Sequence, residues 1–107
     1  MFTRTSNDDY RQPLEKIKMK TLVYGEKTLM SEFRLEQGAQ LAHHSHPHEQ
    51  TGYLVSGALR LTIGTDHYEV NPGDSWCIPA DVEHQAEAVE QAVAIEVFAP
   101  LRKDYLP

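Results

Sequence analysis

Most of what would mark this chain for export, a membrane or nucleic acid is missing from it. Cys77 is alone, so no intrachain disulfide can form and nothing points to an oxidising compartment. No apolar run approaches the roughly 18 residues of a membrane span. Met1 to Glu15 has no hydrophobic centre like that of a signal peptide. Lys and Arg together number 10 against 16 Asp and Glu, a formal net charge of -6. Phosphate backbones and anionic membrane surfaces are held by Lys and Arg, so neither is the expected partner. These absences predict a cytoplasmic protein that acts on a small molecule, with no nucleic acid and no membrane as partner.

A sustained 3.6-residue apolar stripe is also lacking, which leaves little room for helix. Glu83 to Ala94, the best helical stretch by composition, reads better as two strands about a Glu90-Gln91 turn. At 107 residues the chain is long enough for one core and too short for a separate substrate domain. Polarity changes once, near residue 16. Residues 1–15 therefore read as a loose arm, or one ordered against a second subunit, and 16–107 as a single domain.

What the domain does have is turn signals at short intervals. They lie at Gly25-Glu26, Glu36-Gln37-Gly38, Ser56-Gly57, Gly64-Thr65-Asp66, Asn71-Pro72-Gly73-Asp74 and Pro79-Ala80-Asp81. Between them are runs of strand length rich in β-branched, aromatic and Leu residues, among them Leu29 to Leu35, Gly52 to Val55, Leu59 to Ile63, His84 to Ala88 and Val93 to Phe98. Eight or more short strands in about ninety residues predict an all-β, closed antiparallel sandwich or barrel.

The chemistry concentrates in His44-Ser45-His46-Pro47-His48-Glu49-Gln50. Side chains two apart on a strand share a face, so His44 and His46 can reach one ion from a single extended segment. Gln50 opens the next strand, His84 follows the Pro79 turn, and a barrel can bring all four together. His43 has the opposite parity and is expected outward. His48 shares the parity, but Pro47 interrupts regular pairing, so it is expected beside the ligands rather than among them. Glu49 stands as an alternative to Gln50. His67 reads as solvated, and Trp76 and Cys77 as ordinary sheet residues. On the last strand Glu96 and Phe98 share one face. A carboxylate there, inside a barrel, would have the elevated pKa that proton transfer requires; the alternative is an outward Glu96 paired with Arg34 or Arg60.

The spacing Gly38, His44-x-His46, Gln50, Gly57, followed by Gly73, Pro79 and His84, resembles the two conserved motifs of the cupin family over residues 16–107. That resemblance implies a cupin antiparallel β-barrel, the double-stranded β-helix or jelly roll. It also implies one divalent transition metal (Ni, Zn, Mn, Fe, Co or Cu) on His44, His46, Gln50 and His84. The usual Glu is replaced by Gln50, and Asp81 and Ala88 occupy the Gly and Asn positions of the second motif. A neutral ligand set leaves the ion's charge uncompensated and suits an anionic substrate.

Within the family, the string from His44 to Gln50 combines with Glu96-x-Phe98-x-Pro100-x-Arg102-x-Asp104-Tyr105-Leu106. Together they look like the small cupins of pectin and alginate breakdown that linearise 4,5-unsaturated uronates. The likeness implies a sugar acid as substrate, with Glu96, Phe98 and Arg102 as the catalytic set, although an Asp is more usual at position 96. Two other cupin activities remain open, an Fe(II) dioxygenase and a non-catalytic metal or ligand binder. Single-domain cupins commonly pair through edge strands, which implies a homodimer.

Overall fold

The computed structural model describes residues 1–107. The chain runs β1 (Arg11–Leu14), β2 (Ile17–Tyr24), β3 (Leu29–Leu35), β4 (Gln40–His44), β5 (Glu49–Ile63), β6 (Asp66–Val70), β7 (Ser75–Ile78) and β8 (His84–Ala99). A single 3-10 turn, Lys103–Tyr105, follows. The expected all-β barrel is what forms, and every strand pair in it is antiparallel. No helix is long and apolar enough to cross a membrane.

Two strands organise the barrel. β5 and β8 pair with each other from Glu49↔Ala99 to Ile63↔His84, and each is shared between two groups of neighbours. The C-terminal half of β8 pairs with β3, and its N-terminal half with β4. The N-terminal half of β5 pairs with β7, and its C-terminal half with β6. Ser56-Gly57 and Glu90-Gln91 were expected to end strands; instead both lie inside them. Register shifts cluster at Leu54, Ser56, Ala58 and Leu59, so these residues bulge and bend the long strands without terminating them. Gly57 has φ 86°, and a Cβ there would stand 2.1 Å from the Gln91 carbonyl oxygen. The bend depends on that close backbone approach, and Gly at a bulge resembles Gly at a turn in sequence.

Strict alternation supplies the interior. Leu29, Ser31, Phe33 and Leu35 point inward from β3, facing Phe98, Glu96, Ala94 and Ala92 of β8. Ile17, Met19 and Leu54 are fully buried beside them, each contributing on the order of 1.5–3 kcal/mol by leaving water. Small Ala side chains at 86, 88, 92 and 94 keep the centre of β8 thin, while His84, Glu96 and Phe98 stand toward its ends. Apolar packing thus closes the barrel around a space with polar groups on one wall.

Residues 11–14, part of the segment read as an arm, form β1 and pair with β2 of their own chain. Tyr10 donates its hydroxyl to Glu32 at 2.7 Å, and the Lys20 ammonium donates to Ser6 Oγ at 2.7 Å.

Candidate metal centre and buried acid

His44 is the last residue of β4 and pairs directly with His84, the first of β8. His46 lies beyond the end of β4, not on one regular strand with His44 as expected, because pairing stops at His44 just before Pro47. The three imidazoles converge nonetheless: one ligand nitrogen from each lies within 4.8 Å of the others. The His44 and His84 ring centroids are 4.1 Å apart, and those of His46 and His84 are 5.0 Å apart.

Backbone carbonyls set the tautomers. Nδ1 of His44 faces the Ala42 oxygen at 2.7 Å, Nδ1 of His46 the His48 oxygen at 2.9 Å, and Nδ1 of His84 the Val82 oxygen at 3.0 Å. A carbonyl only accepts, so each Nδ1 carries the proton and each Nε2 presents a bare lone pair. His84 Nε2 is buried with no hydrogen-bond partner. His46 Nε2 faces Gln50 Oε1 at 2.9 Å, one acceptor against another. Burial holds the His46 and His84 pKa values below the ordinary imidazole range, which keeps both rings neutral. Convergent lone pairs without donors fit a bound cation, and three neutral imidazoles suit a divalent transition metal.

Gln50 links this group to an acid. Its Nε2 donates to Glu96 Oε2 at 2.8 Å. Glu96 is only 8% exposed, and burial pushes its pKa up to about 8, with the Gln50 amide and Trp76 indole N–H groups pulling the other way. The outward alternative does not occur, since Arg34 pairs with Glu32 at 2.6 Å and Arg60 with Glu69 at 3.1 Å. The carboxyl group that a Glu ligand would have supplied thus sits one amide farther from the imidazoles, and burial keeps it protonated at neutral pH.

Trp76 is the residue that sequence reasoning passed over. Gly52 pairs with Trp76 on one side and Glu96 on the other. A Cβ on Gly52 would lie 2.2–2.4 Å from three indole atoms, so the missing side chain is what lets the indole cover this strand. Trp76 Nε1 is buried without a well-formed hydrogen bond and close enough to act on the Glu96 carboxyl. A glycine in mid-strand was the available signal, but the sequence does not show which residue it pairs with.

The mouth of the cavity is aromatic and basic. Phe98 packs edge-on against His46 at 5.8 Å and Tyr105 at 5.4 Å between ring centroids. The Arg102 guanidinium lies 5.0 Å from the Phe98 ring centre and 4.0 Å from that of Tyr105. It donates from Nε to Asp104. The cavity behind this mouth has a volume of about 60 Å³ and is lined mainly by apolar side chains, with His44, His84, Gln50, Glu96 and Arg102 as its polar groups.

The remaining candidates stand aside. His43 pairs with Glu83 at 3.1 Å, and His67 meets the Thr62 hydroxyl at 3.0 Å. Glu49 and Cys77 are exposed. His48 packs its ring 5.7 Å from that of His46 and lends it a backbone carbonyl.

A family model described as the cupin domain matches residues 31–98. Among solved structures, KdgF from Halomonas sp. is 27% identical, with a TM-score of 0.94 over 99% of this chain and 98% of that one. An RmlC-like cupin from Shewanella frigidimarina NCIMB 400 is 23% identical, with a TM-score of 0.93 over 98% and 95% of the two chains. Salicylate 1,2-dioxygenase from Pseudoaminobacter salicylatoxidans shares the fold at 14% identity and a TM-score of 0.78, over 83% of this chain and 26% of that one. No curated protein sequence matches the chain.

Proposed function

The chain belongs to the cupin domain family, and from that premise we propose that it converts 4,5-unsaturated uronate monomers into their linear keto forms. In this reading His44, His46, Gln50 and His84 hold one divalent transition metal ion, and Glu96, Phe98 and Arg102 serve the substrate. The observation that carries the proposal is Glu96: an acid buried in the cavity, one Gln50 amide away from three convergent imidazoles, with Arg102 at the mouth. The similarity to KdgF over nearly the whole chain, and the likeness to the uronate-linearising cupins, support it.

The conversion is an isomerisation, so protons must be moved and none is consumed. The bond between C1 and the ring oxygen breaks, the anomeric hydroxyl loses its proton to become an aldehyde, and the released enol becomes a ketone as C4 gains a proton. Glu96, with a pKa near 8, holds a proton at neutral pH, gives it to carbon and recovers one from oxygen. Gln50 orients that carboxyl through its N–H, and Trp76 shields it from water. Arg102 pairs with the uronate carboxylate, while Phe98 walls the ring. When bound, the ion would supply Lewis-acid polarisation of substrate oxygens.

The test is to load the purified protein with metal, add an unsaturated monouronate, and follow loss of the conjugated-alkene absorbance. Acceleration over buffer supports the reading, and none with metal bound sinks it. Three imidazoles also suit Fe(II), which keeps an oxygen-dependent reaction as the second reading; oxygen uptake by the Fe(II)-loaded protein in place of isomerisation would establish it. A homodimer is the proposed assembly, and a monomeric sedimentation profile would contradict it.

A further inference from the structure

The C-terminal turn that carries Arg102 and Tyr105 is held from outside the cavity by the other end of the chain. Arg11 Nη1 donates to the Asp104 carbonyl at 3.1 Å, and Nη2 donates to those of Tyr105 at 2.6 Å and Leu106 at 3.4 Å. The Thr21 hydroxyl donates to the same Tyr105 carbonyl. A one-turn 3-10 helix leaves its final carbonyls without partners of its own, and a guanidinium fork suits several at once.

Arg11 is itself fixed. It pairs with Met19 in the β1–β2 ladder. Its neighbour Tyr10 hydrogen bonds to Glu32 and lies with its ring centre 4.4 Å from the Arg34 guanidinium and 5.4 Å from the Lys20 ammonium. Nothing in the proposed chemistry uses Arg11, yet three of its hydrogen bonds end on the backbone that places two cavity-lining side chains.

We propose that Arg11, with Thr21, is a positioning residue for anion recognition: it grips the carbonyls of Asp104, Tyr105 and Leu106 and so holds Arg102 and Tyr105 over the cavity mouth. The anion in question is the uronate carboxylate, so this step rests on the function proposed above. Arg102 would grip that carboxylate equally before and during reaction, and a loosened turn then weakens binding without touching the proton-transfer groups.

Three variants test it, Arg11→Ala, Arg11→Lys and Thr21→Val, each read by KM, kcat, bound metal and hydrogen–deuterium exchange of residues 101–106. For Arg11→Ala the expected result is a KM raised about five- to twentyfold, with kcat within about twofold, since charge-assisted hydrogen bonds are being lost. Metal content stays at the wild-type level, and the Tyr105 and Leu106 amides exchange faster. Arg11→Lys recovers part of both effects, because a point donor replaces a fork. Thr21→Val shows a smaller change in the same direction. Unchanged tail exchange overturns the proposal, as does a loosened tail with unchanged KM. A wild-type protein that never turns over the uronate removes the function while the exchange data still decide whether Arg11 holds the turn.

Discussion

Two ionisable side chains are almost equally buried in this barrel, Lys20 at 5% exposure and Glu96 at 8%, and they are treated in opposite ways. Lys20 stands on the outside of β2 under residues 6–10. Its ammonium reaches Ser6 Oγ, faces the Tyr10 ring, and sits on the residue paired with Glu32. It is surrounded by acceptors and a carboxylate. Glu96 stands on the inside of β8 and meets no cation, only the Gln50 amide and an indole edge. A buried charge is tolerable with partners and expensive without them, so the first group serves the fold and the second is held as a neutral acid.

Removing the acid should give the largest effect. Glu96→Gln keeps shape and loses the proton, and turnover is expected to fall about 10²- to 10⁴-fold, measured by the uronate absorbance assay. Nearly normal turnover would erase the functional side of the contrast. His84→Ala should instead abolish the metal site, seen by elemental analysis as metal lost from the purified protein, with activity lost alongside it.

Stability sharpens the contrast through its sign. Glu96 titrates near 8 in the fold against 4.5 for an ordinary Glu side chain. The folded state therefore binds the extra proton between those values, and unfolding becomes easier as pH rises. Its contribution is fully present below about pH 4.5 and lost as pH passes through about 8. Metal-free Glu96→Gln should accordingly be more stable than the wild type at pH 9, by about 2–5 kcal/mol on the scale of 1.4 kcal/mol per pKa unit. Denaturant titration at pH 5 and pH 9 would show a gap that widens with pH. Lys20→Met should do the reverse, costing about 1–2 kcal/mol through stranded Ser6 and Glu32 partners while kcat stays unchanged.

Gly52→Ala joins both sides of the comparison. Its Cβ must displace the Trp76 indole, so the environment of Glu96 changes without a change of charge. Trp76 is the single tryptophan, and a shifted emission maximum would report the displacement directly. A drop in kcat of about tenfold or less is expected, smaller than for loss of the acid itself.

Much of this was legible in the chain. Turn residues and alternation gave the barrel, and the spacing from Gly38 to His84 picked out the imidazoles and Gln50 from six histidines. Inward parity on the last strand placed Glu96 and Phe98 together. What escaped were features that depend on partners distant in sequence. Ser56-Gly57 and Glu90-Gln91 looked like ends because a bulge and a turn draw on the same residues. Trp76 gained its place only through pairing with Gly52, and Arg11 through carbonyls about ninety residues away. The departure of His46 from the strand followed from where pairing with β8 stops, which no local pattern records.

The central claim is that Glu96 carries the proton while the histidines and Gln50 hold the ion, two tasks joined by one amide. Metal content and uronate turnover measured on the same sample of Glu96→Gln test it most directly. The prediction is wild-type metal stoichiometry with turnover reduced at least about a hundredfold. Turnover close to the wild type, or loss of the metal along with the activity, would contradict it.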